Sequence, residues 1–403
     1  MDMTTQIQPA GSRLARNPTA RTLCALAVLA QLAVPAFAGP REQAVRLHNR
    51  IAGTPPTAAN LDTMANLLAT GTQANQLAAA KIATDQATFY SVTLKNFVTP
   101  WTNRDQTVFA PLNDYTATVM GMVRDDVPFN TALSADILYT LNASGLPAPS
   151  IASNDHYSTA EANNVPYITA LTQTTQSAVY GTPTDATAGL ITTRGAESAF
   201  FVAGTNRAMF RFTMINHFCR DMEALQDTSR PPDRIRQDVA RSPGGDSRIF
   251  LNSCIGCHSG MDPMAQAFAY YNFDATQGQG TMVYTAGTVQ PKYFINSDNF
   301  KAGFVTPDNS WENRWRQGPN SVLGWDPTLP GNGKGAKSLG QELAQSDAFA
   351  DCQVTKVFQA VCFRAPGNSA DRAAITQIKS DFKAQGYKLK QVFQETGVYC
   401  MGQ

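Results

Sequence analysis

Residues Cys254, Cys257 and His258 form the pattern Cys-x-x-Cys-His, in which each residue type has its own chemical role. Two cysteines three positions apart can bond to the two vinyl groups of a haem, and the adjacent imidazole can bind the iron. The pattern therefore predicts one covalent haem c, with His258 as the proximal iron ligand. A redox-active disulfide and half of a zinc site are the alternatives. Zinc would need a second ligand pair, and the sequence has no other Cys-x-x-Cys and no His-x-x-x-His.

The sixth iron ligand decides what such a haem can do. Met282 follows the motif at a distance that allows the chain to cross the distal face, whereas Met261 is too close to His258 to do so. Met282 is therefore the candidate distal ligand, although a methionine at such a position is more often an ordinary loop or core residue. The remaining candidates are three histidines, of which the last fits a hydrogen-bonded core residue better than a ligand: His48, His156 and His217.

Three functions follow from these possibilities. A Met or His in the sixth position predicts electron transfer with a redox partner protein, which is the function we favour. An open distal site predicts a haem enzyme, peroxidase-like or oxygenase-like. Such an enzyme needs a distal acid/base and a polar donor, and His217 with Arg220 is the only such pairing close in sequence. The sequence does not indicate its small-molecule substrate. The third possibility is an adhesion or structural module without haem, carrying a redox-active Cys-x-x-Cys.

The beginning of the chain predicts export, which covalent haem attachment requires. Arg13, Arg16 and Arg21 precede an apolar run, Leu23 to Val34, and Ala36-Phe37-Ala38 is a typical cleavage site. We therefore expect residues 1–38 to be a signal peptide and the protein to be periplasmic or otherwise exported. An uncleaved anchor is the alternative, but a run of twelve residues, one of them Gln, is too short to span a bilayer, and we expect no membrane span after cleavage.

The charge balance gives no sign of a polyanionic partner. The chain has 32 basic and 31 acidic residues. Removal of the signal peptide takes away three basic residues and one acidic residue, which leaves 29 basic and 30 acidic residues and a net charge near zero. A protein that binds nucleic acid usually carries a clear basic excess. We therefore expect no nucleic-acid partner.

Four cysteines lie outside the motif and the signal segment. Val354, Val357, Phe358 and Val361 recur with helical spacing, so Cys352 and Cys362 should share one helix. Ten residues of helix separate them by about 15 Å, and a disulfide tolerates only about 7 Å between Cα atoms. Each should therefore pair with one of the other two, Cys219 or Cys400, which leaves two pairings open. Buried free thiols are the alternative.

The pattern along the chain predicts a mainly α, multi-helical fold with a cytochrome c-like haem segment and a loop-rich region containing short strands. Helical periodicity covers most of residues 41–225 with a break at Pro55-Pro56, and a helix over 207–225 is apolar on two faces, so it should be buried or covered by a cofactor. Asp262-Pro263 predicts the start of a short helix through Tyr271. Residues 276–335 should be loop-rich, and Ser369 should cap a helix that stops at Gly386.

The segment 254–274, CIGCHSGMDPMAQAFAYYNFD, resembles the haem region of the planctomycete-type cytochrome c domain proteins, whose motif reads roughly CxxCHxxIDPxGFALExFD. Weaker similarities follow in the same order along residues 44–403, among them Gly53 to Thr57 and Phe349 to Cys352. This sequence departs from the pattern at Met264-Ala265-Gln266, where the family has a Gly before Phe. The resemblance implies haem and export, and a helical C-terminal domain. Together with the patterns above it predicts four regions: residues 1–38 (signal), 39–245 (helical), 246–345 (haem-binding) and 346–403 (helical C-terminal).

Overall fold

The chain is mainly helical in a computed structural model that describes residues 38–202 and 204–402. The predicted signal peptide falls, except for Ala38, outside the described residues. Pro40–Gln403 form one compact unit, and the predicted region boundaries after residues 245 and 345 stay predictions.

The first described segment, residues 40–98, is mostly helical, and polar side chains mark where two of its helices begin. Thr57 and Thr72 each accept a hydrogen bond from the backbone N–H three residues later, which caps the next helix. The predicted break at Pro55-Pro56 falls between two helices and is confirmed. The helices are α1 (Pro40–Ala52), α2 (Ala58–Leu68), α3 (Gln73–Thr84) and, after a π-helical turn at Phe89–Leu94, the single turn α4 (Lys95–Val98).

The next segment also contains a small two-stranded sheet that the sequence analysis did not predict. Strands of four residues carry too little alternation to be recognised beside helical segments. In order, the elements are α5 (Asp114–Arg124), β1 (Leu138–Leu141), α6 (Asp155–Ala162), α7 (Tyr167–Ala170), β2 (Leu171–Thr174), α8 (Gln176–Tyr180), α9 (Arg194–Phe200) and α10 (Arg207–Phe218). The two strands are antiparallel, with Leu138 opposite Thr174.

Helix α10 is buried on both sides, as its apolar faces predict, but it is shorter than expected. It ends at Phe218 because Cys219 adopts a left-handed conformation with φ of 54°, and the predicted continuation to Leu225 is a separate 3-10 turn. Side chains of the protein cover the faces of α10. Phe212 stacks on Phe200 with ring centroids 4.5 Å apart, and Phe210 packs against Trp315.

The segment before and through the Cys-x-x-Cys-His motif is continuously helical. It consists of α11 (Ser247–Ile249), a π-helical turn at Phe250–Cys254 and α12 (Ile255–Ala265). The prediction that Asp262-Pro263 starts a helix is therefore wrong, because both residues lie inside α12. Pro263 has no backbone N–H, so it cannot donate to the Ser259 carbonyl within α12.

The remainder of the chain confirms a loop-rich segment with short strands followed by helices. Two antiparallel strand pairs are present, β3 (Tyr271–Asp274) with β4 (Thr281–Tyr284) and β5 (Ser310–Glu312) with β6 (Asn332–Lys334). The last helix predicted in detail is capped by Asn368, one residue before the expected Ser369. The helices are α13 (Gly335–Ala344), α14 (Asp347–Cys362), α15 (Ser369–Ala384) and α16 (Leu389–Cys400).

Packing around α10 connects the two ends of the described chain. Helix α10 contacts both α12 and α14, while α14 and the N-terminal α3 contact α16. Two disulfides join these elements, Cys219–Cys352 between α10 and α14, and Cys362–Cys400 between α14 and α16. The expectation that Cys352 and Cys362 each pair with Cys219 or Cys400 is confirmed.

The described helices were also compared with what a bilayer crossing requires. None of them combines the length and the apolar composition that such a crossing needs.

Candidate haem-attachment site

The motif is displayed at the junction of the π-helical turn and α12. Cys254 ends the turn, and Cys257 and His258 follow in the first turn of α12. Residues three and four positions apart on a helix lie on the same face. The local helix therefore brings Cys254, Cys257 and His258 together without help from distant parts of the chain.

Both motif cysteines are free thiols, and both are partly exposed. Cys257 Sγ lies 3.6 Å from the backbone oxygen of Met222. Burial, and then the charges of Asp221 and Glu223, raise the pKa of the Cys257 thiol. The other four described cysteines are paired in disulfides.

Apolar side chains surround the thiols and extend to the surface. Cys254 packs against a small cluster built by Ile235, Phe250 and Ile255. In the helical segment just before the motif, Ile249 is 47% exposed and Leu251 is 55% exposed. Large aliphatic side chains are usually buried, so this part of the surface offers apolar area that a planar apolar molecule could cover.

His258 is oriented by a carboxylate one helical turn away. Its Nδ1 lies 3.2 Å from each carboxylate oxygen of Asp262, and its side chain is 19% exposed. An ionised carboxylate can only accept, so Nδ1 carries the proton and the lone pair is left on Nε2. Metal-binding histidines commonly use the same arrangement, with the second ring nitrogen donating to a carboxylate.

Asp262 is itself held by two arginines. The Arg207 guanidinium binds it through two parallel hydrogen bonds, Nε to Oδ1 at 2.6 Å and Nη2 to Oδ2 at 2.8 Å. Arg236 Nη2 lies 3.9 Å from Oδ1. Burial acts to raise the pKa of Asp262, but the charges of Arg207 and Arg236 outweigh it and hold that pKa well below its usual range. The carboxylate beside His258 therefore stays ionised.

The same arginines are shared with a second carboxylate. Arg207 also forms an ion pair with Asp238, and Arg236 Nε lies 3.7 Å from Asp238. The Arg236 guanidinium additionally stacks over the Tyr293 ring at 4.7 Å from its centroid. The cluster thus contains two positive and two negative side chains, and it is close to neutral as a whole.

Close packing fixes α12 against its neighbours. A Cβ atom at Gly260 would overlap the Trp315 ring, so only glycine allows that approach. On another side, the Asp227 N–H donates to the Gly256 oxygen at 2.9 Å, and Ser259 Oγ donates to the Asp227 oxygen at 2.7 Å. These contacts hold the helix that presents the motif in one position.

Met282 lies on a different element from the motif. It is buried on β4, opposite Phe273, and the β3–β4 hairpin packs against α9. The structure thus places Met282 on the hairpin and the three motif residues on the helix. A distal-ligand role for Met282 stays a prediction.

His217 has the environment of a hydrogen-bonded core residue. Its Nε2 lies 2.9 Å from the Tyr115 hydroxyl, and its Nδ1 lies 3.4 Å from the Gln353 amide nitrogen. Burial, with a smaller contribution from the Lys356 charge, lowers the pKa of His217 well below its ordinary value. Both ring nitrogens are already engaged, which favours the core alternative. Arg220 is exposed beyond the end of α10.

The two other candidate histidines also lie in the protein interior. His156 has Nδ1 2.7 Å from the Pro147 oxygen, and its Nε2 accepts from the Leu141 N–H at 3.0 Å. His48 Nδ1 lies 2.7 Å from the Thr54 oxygen, and its Nε2 is buried with no hydrogen-bond partner within the described ranges. Burial lowers the pKa of His48, against a smaller opposite effect of that hydrogen bond.

The sequence analysis missed the role of Asp262, which it treated as a helix cap. The spacing of four residues between His258 and Asp262 was the available signal, since such residues are neighbours on a helix. Arg207 and Arg236 had no comparable signal, because only the tertiary fold brings them to α12.

The described residues contain no group of three or more His, Cys, Asp or Glu side chains placed to hold a metal ion. A haem iron takes its four equatorial ligands from the porphyrin and needs only axial ligands from the protein. The donor set at the start of α12, two thiols and one imidazole on one face, fits that requirement.

Comparisons with known proteins add no assignment. No protein-family model matches the chain, and no curated protein or solved structure is similar to it. The resemblance of residues 254–274 to planctomycete-type cytochrome c domain proteins therefore stays a prediction.

Proposed function

We propose that this chain is an exported c-type cytochrome that holds one haem through Cys254, Cys257 and His258 and exchanges electrons with a redox partner protein. The observation that carries the proposal is the state of the six described cysteines. Four of them form two disulfides, which suits an oxidising compartment. The two that stay free are those of the Cys-x-x-Cys-His motif, where haem attachment needs thiols.

Cys254 and Cys257 would attach the haem by adding across its two vinyl groups. Each sulfur would bond to one vinyl carbon, and the thiol hydrogen would go to the other carbon of the same vinyl group. The addition is redox-neutral, so it needs no external oxidant. Cys257 would exchange its contact with the Met222 oxygen for a thioether.

His258 would bind the iron through Nε2, because Asp262 accepts the hydrogen on Nδ1. When bound, the haem would supply a one-electron couple between Fe(III) and Fe(II). The exposed side chains of Ile249 and Leu251 would shield part of the apolar ring from water. Both features support a haem seated against α12 and the segment before it.

The proposal is tested by producing the full chain in a bacterial host that matures c-type cytochromes, beside the C254S/C257S double variant. Haem staining on a denaturing gel detects only covalent haem, and intact-mass measurement counts it. We expect one haem on the wild type and none on the double variant. Wild-type protein that is exported and processed but carries no haem would overturn the proposal.

A haem enzyme is the second candidate, and an open surface cleft favours it. The cleft lies beside α10 and α14 and is lined in part by Trp101, Asp221 and Lys356. Its wall at Asp221 adjoins Met222, whose oxygen contacts Cys257. A small substrate could be held there, close to the attachment site.

Carbon monoxide distinguishes the two candidates. If the visible spectrum of the reduced protein does not change when CO is added, both axial positions of the iron are filled, which supports electron transfer. A Soret band that shifts with CO indicates an open site and supports the enzyme.

The M282L variant tests the predicted distal ligand, because leucine removes the sulfur but keeps the apolar volume. We expect this variant to gain CO binding, whereas M264L, a buried methionine of α12, should not. An unchanged spectrum in M282L would exclude Met282 as the ligand.

A further inference from the structure

A buried charge cluster lies behind His258, and attachment of a haem would not by itself require it. Asp262 is almost wholly buried and touches both His258 and Arg207. Burying an ionised carboxylate is costly unless it is well paired. Arg207 and Arg236 supply that pairing, so the carboxylate stays charged while it contacts His258 Nδ1.

The contacts specify what Asp262 can do. Arg207 uses its planar fork on both carboxylate oxygens, so the carboxylate plane is fixed. The same two oxygens lie at equal distances from His258 Nδ1. The imidazole ring is thereby held in one tautomer with Nε2 facing away from the carboxylate.

We infer that Asp262 is a positioning residue that makes His258 a stronger electron donor and so favours the ferric over the ferrous state of an iron bound to Nε2. This inference rests on the proposed function. A hydrogen bond to an ionised carboxylate gives the imidazole partial negative character, which raises its basicity as a ligand. A more basic ligand stabilises the more positive metal ion.

The net charge of the cluster cannot supply this effect. Two aspartates and two arginines nearly cancel at a distance, so the direct hydrogen bond to Nδ1 must carry it. Asp238 provides a matched control, because it shares the same arginines and shows no hydrogen bond to His258 among the described contacts. Replacing Asp238 or Asp262 by Asn removes the same charge, and only one of the two changes alters the partner of His258.

The test compares the reduction potentials of wild type, D262N and D238N, each with its haem confirmed by gel staining. We expect D262N to shift the ferric–ferrous equilibrium at least tenfold toward the ferrous state, about 59 mV for a one-electron couple. D238N should shift it less than threefold. Equal shifts in the two variants, or no shift in D262N, would overturn the inference.

A second measurement needs no haem and serves if D262N does not fold. In the full-length C254S/C257S variant, the ring nitrogens of His258 are observed by ¹⁵N NMR at a pH where the imidazole is neutral, with H258Q for assignment. We expect a protonated Nδ1 and an unprotonated Nε2. A protonated Nε2 or a mixture of tautomers would overturn the inference, whereas loss of haem from the wild type would overturn only the proposed function.

Discussion

The cysteines of the motif and those of the C-terminal helices differ in which part of the structure brings them together. Cys254 and Cys257 lie side by side on one helical face and stay free. Cys352 lies in the second turn of α14 and Cys362 is its last residue, and the two are bonded to Cys219 at the end of α10 and to Cys400 on α16. The first pair is arranged by one turn of local structure, whereas the second needs the packing of three helices.

This difference separates two uses of the same residue type. Thiols on adjacent turns of one helix can both reach one planar ligand, and they are presented to it as soon as the helix forms. A disulfide between helices stabilises the protein by restricting the unfolded chain, and it presents no free group to a ligand. The two regions should therefore respond independently to substitution.

Removing an interhelical disulfide should produce the largest change in stability and none in haem content. The C219A/C352A variant opens a link across 133 residues, and C362A/C400A opens one across 38. From loop-closure entropy we expect losses of about 5 and about 4 kcal/mol in the free energy of unfolding. Denaturant titration measures both, and gel staining reports the haem.

The same experiment can contradict the independence of the two regions. If either alanine pair loses covalent haem while still folding, the attachment region depends on the disulfides and the two regions are not independent. A larger loss for the shorter loop would contradict the entropic explanation.

A smaller effect is expected from the packing behind the motif. Gly260→Ala places a methyl group against the Trp315 ring and should destabilise the protein by about 1–3 kcal/mol. Gly256→Ala is the matched control on the same helix, because its Cβ meets Gln226 Cβ at 3.2 Å and alanine favours helix. Thermal unfolding of the two variants measures the contrast, and equal stabilities would show that the contact with Trp315 does not restrain α12.

A further effect depends on pH and contrasts two buried carboxylates. Asp262 is paired with Arg207, whereas both oxygens of Glu197 lack a hydrogen-bond partner within the described ranges. Burial, and then the charge of Asp114, raise the pKa of Glu197 well above its ordinary value, against a smaller effect of Lys292. The folded state therefore holds this proton more tightly than the unfolded chain does.

It follows that the stability supplied by protonated Glu197 is present below its ordinary pKa and is lost as the pH rises toward the folded value. The slope is at most about 1.4 kcal/mol per pH unit. In Glu197→Gln the free energy of unfolding should not decline in this way as the pH rises. The control Glu223→Gln, at an exposed position, should show the same decline as the wild type. Chemical denaturation between pH 4 and 7 checks this, and parallel profiles for wild type and Glu197→Gln would exclude it.

Local patterns predicted the features that one helix can build. The spacing of Cys254, Cys257 and His258 placed them on one face, and the apolar periodicity around Cys352 and Cys362 ruled out a bond between them. Most helices in the N-terminal and C-terminal segments followed from the same periodicity. These features need only the geometry of a single element, which the sequence encodes directly.

Contacts between segments distant in the chain could be read only from the tertiary structure. It selected Cys219 for Cys352 and Cys400 for Cys362, which spacing left open. It also placed Asp262 inside α12, where Arg207 and Arg236 hold its charge, although the sequence suggested a helix start. The sequence by itself determined which chemical groups stand on α12. Their electrostatic surroundings came from packing, because the charges that act on them belong to helices and loops far away in the chain.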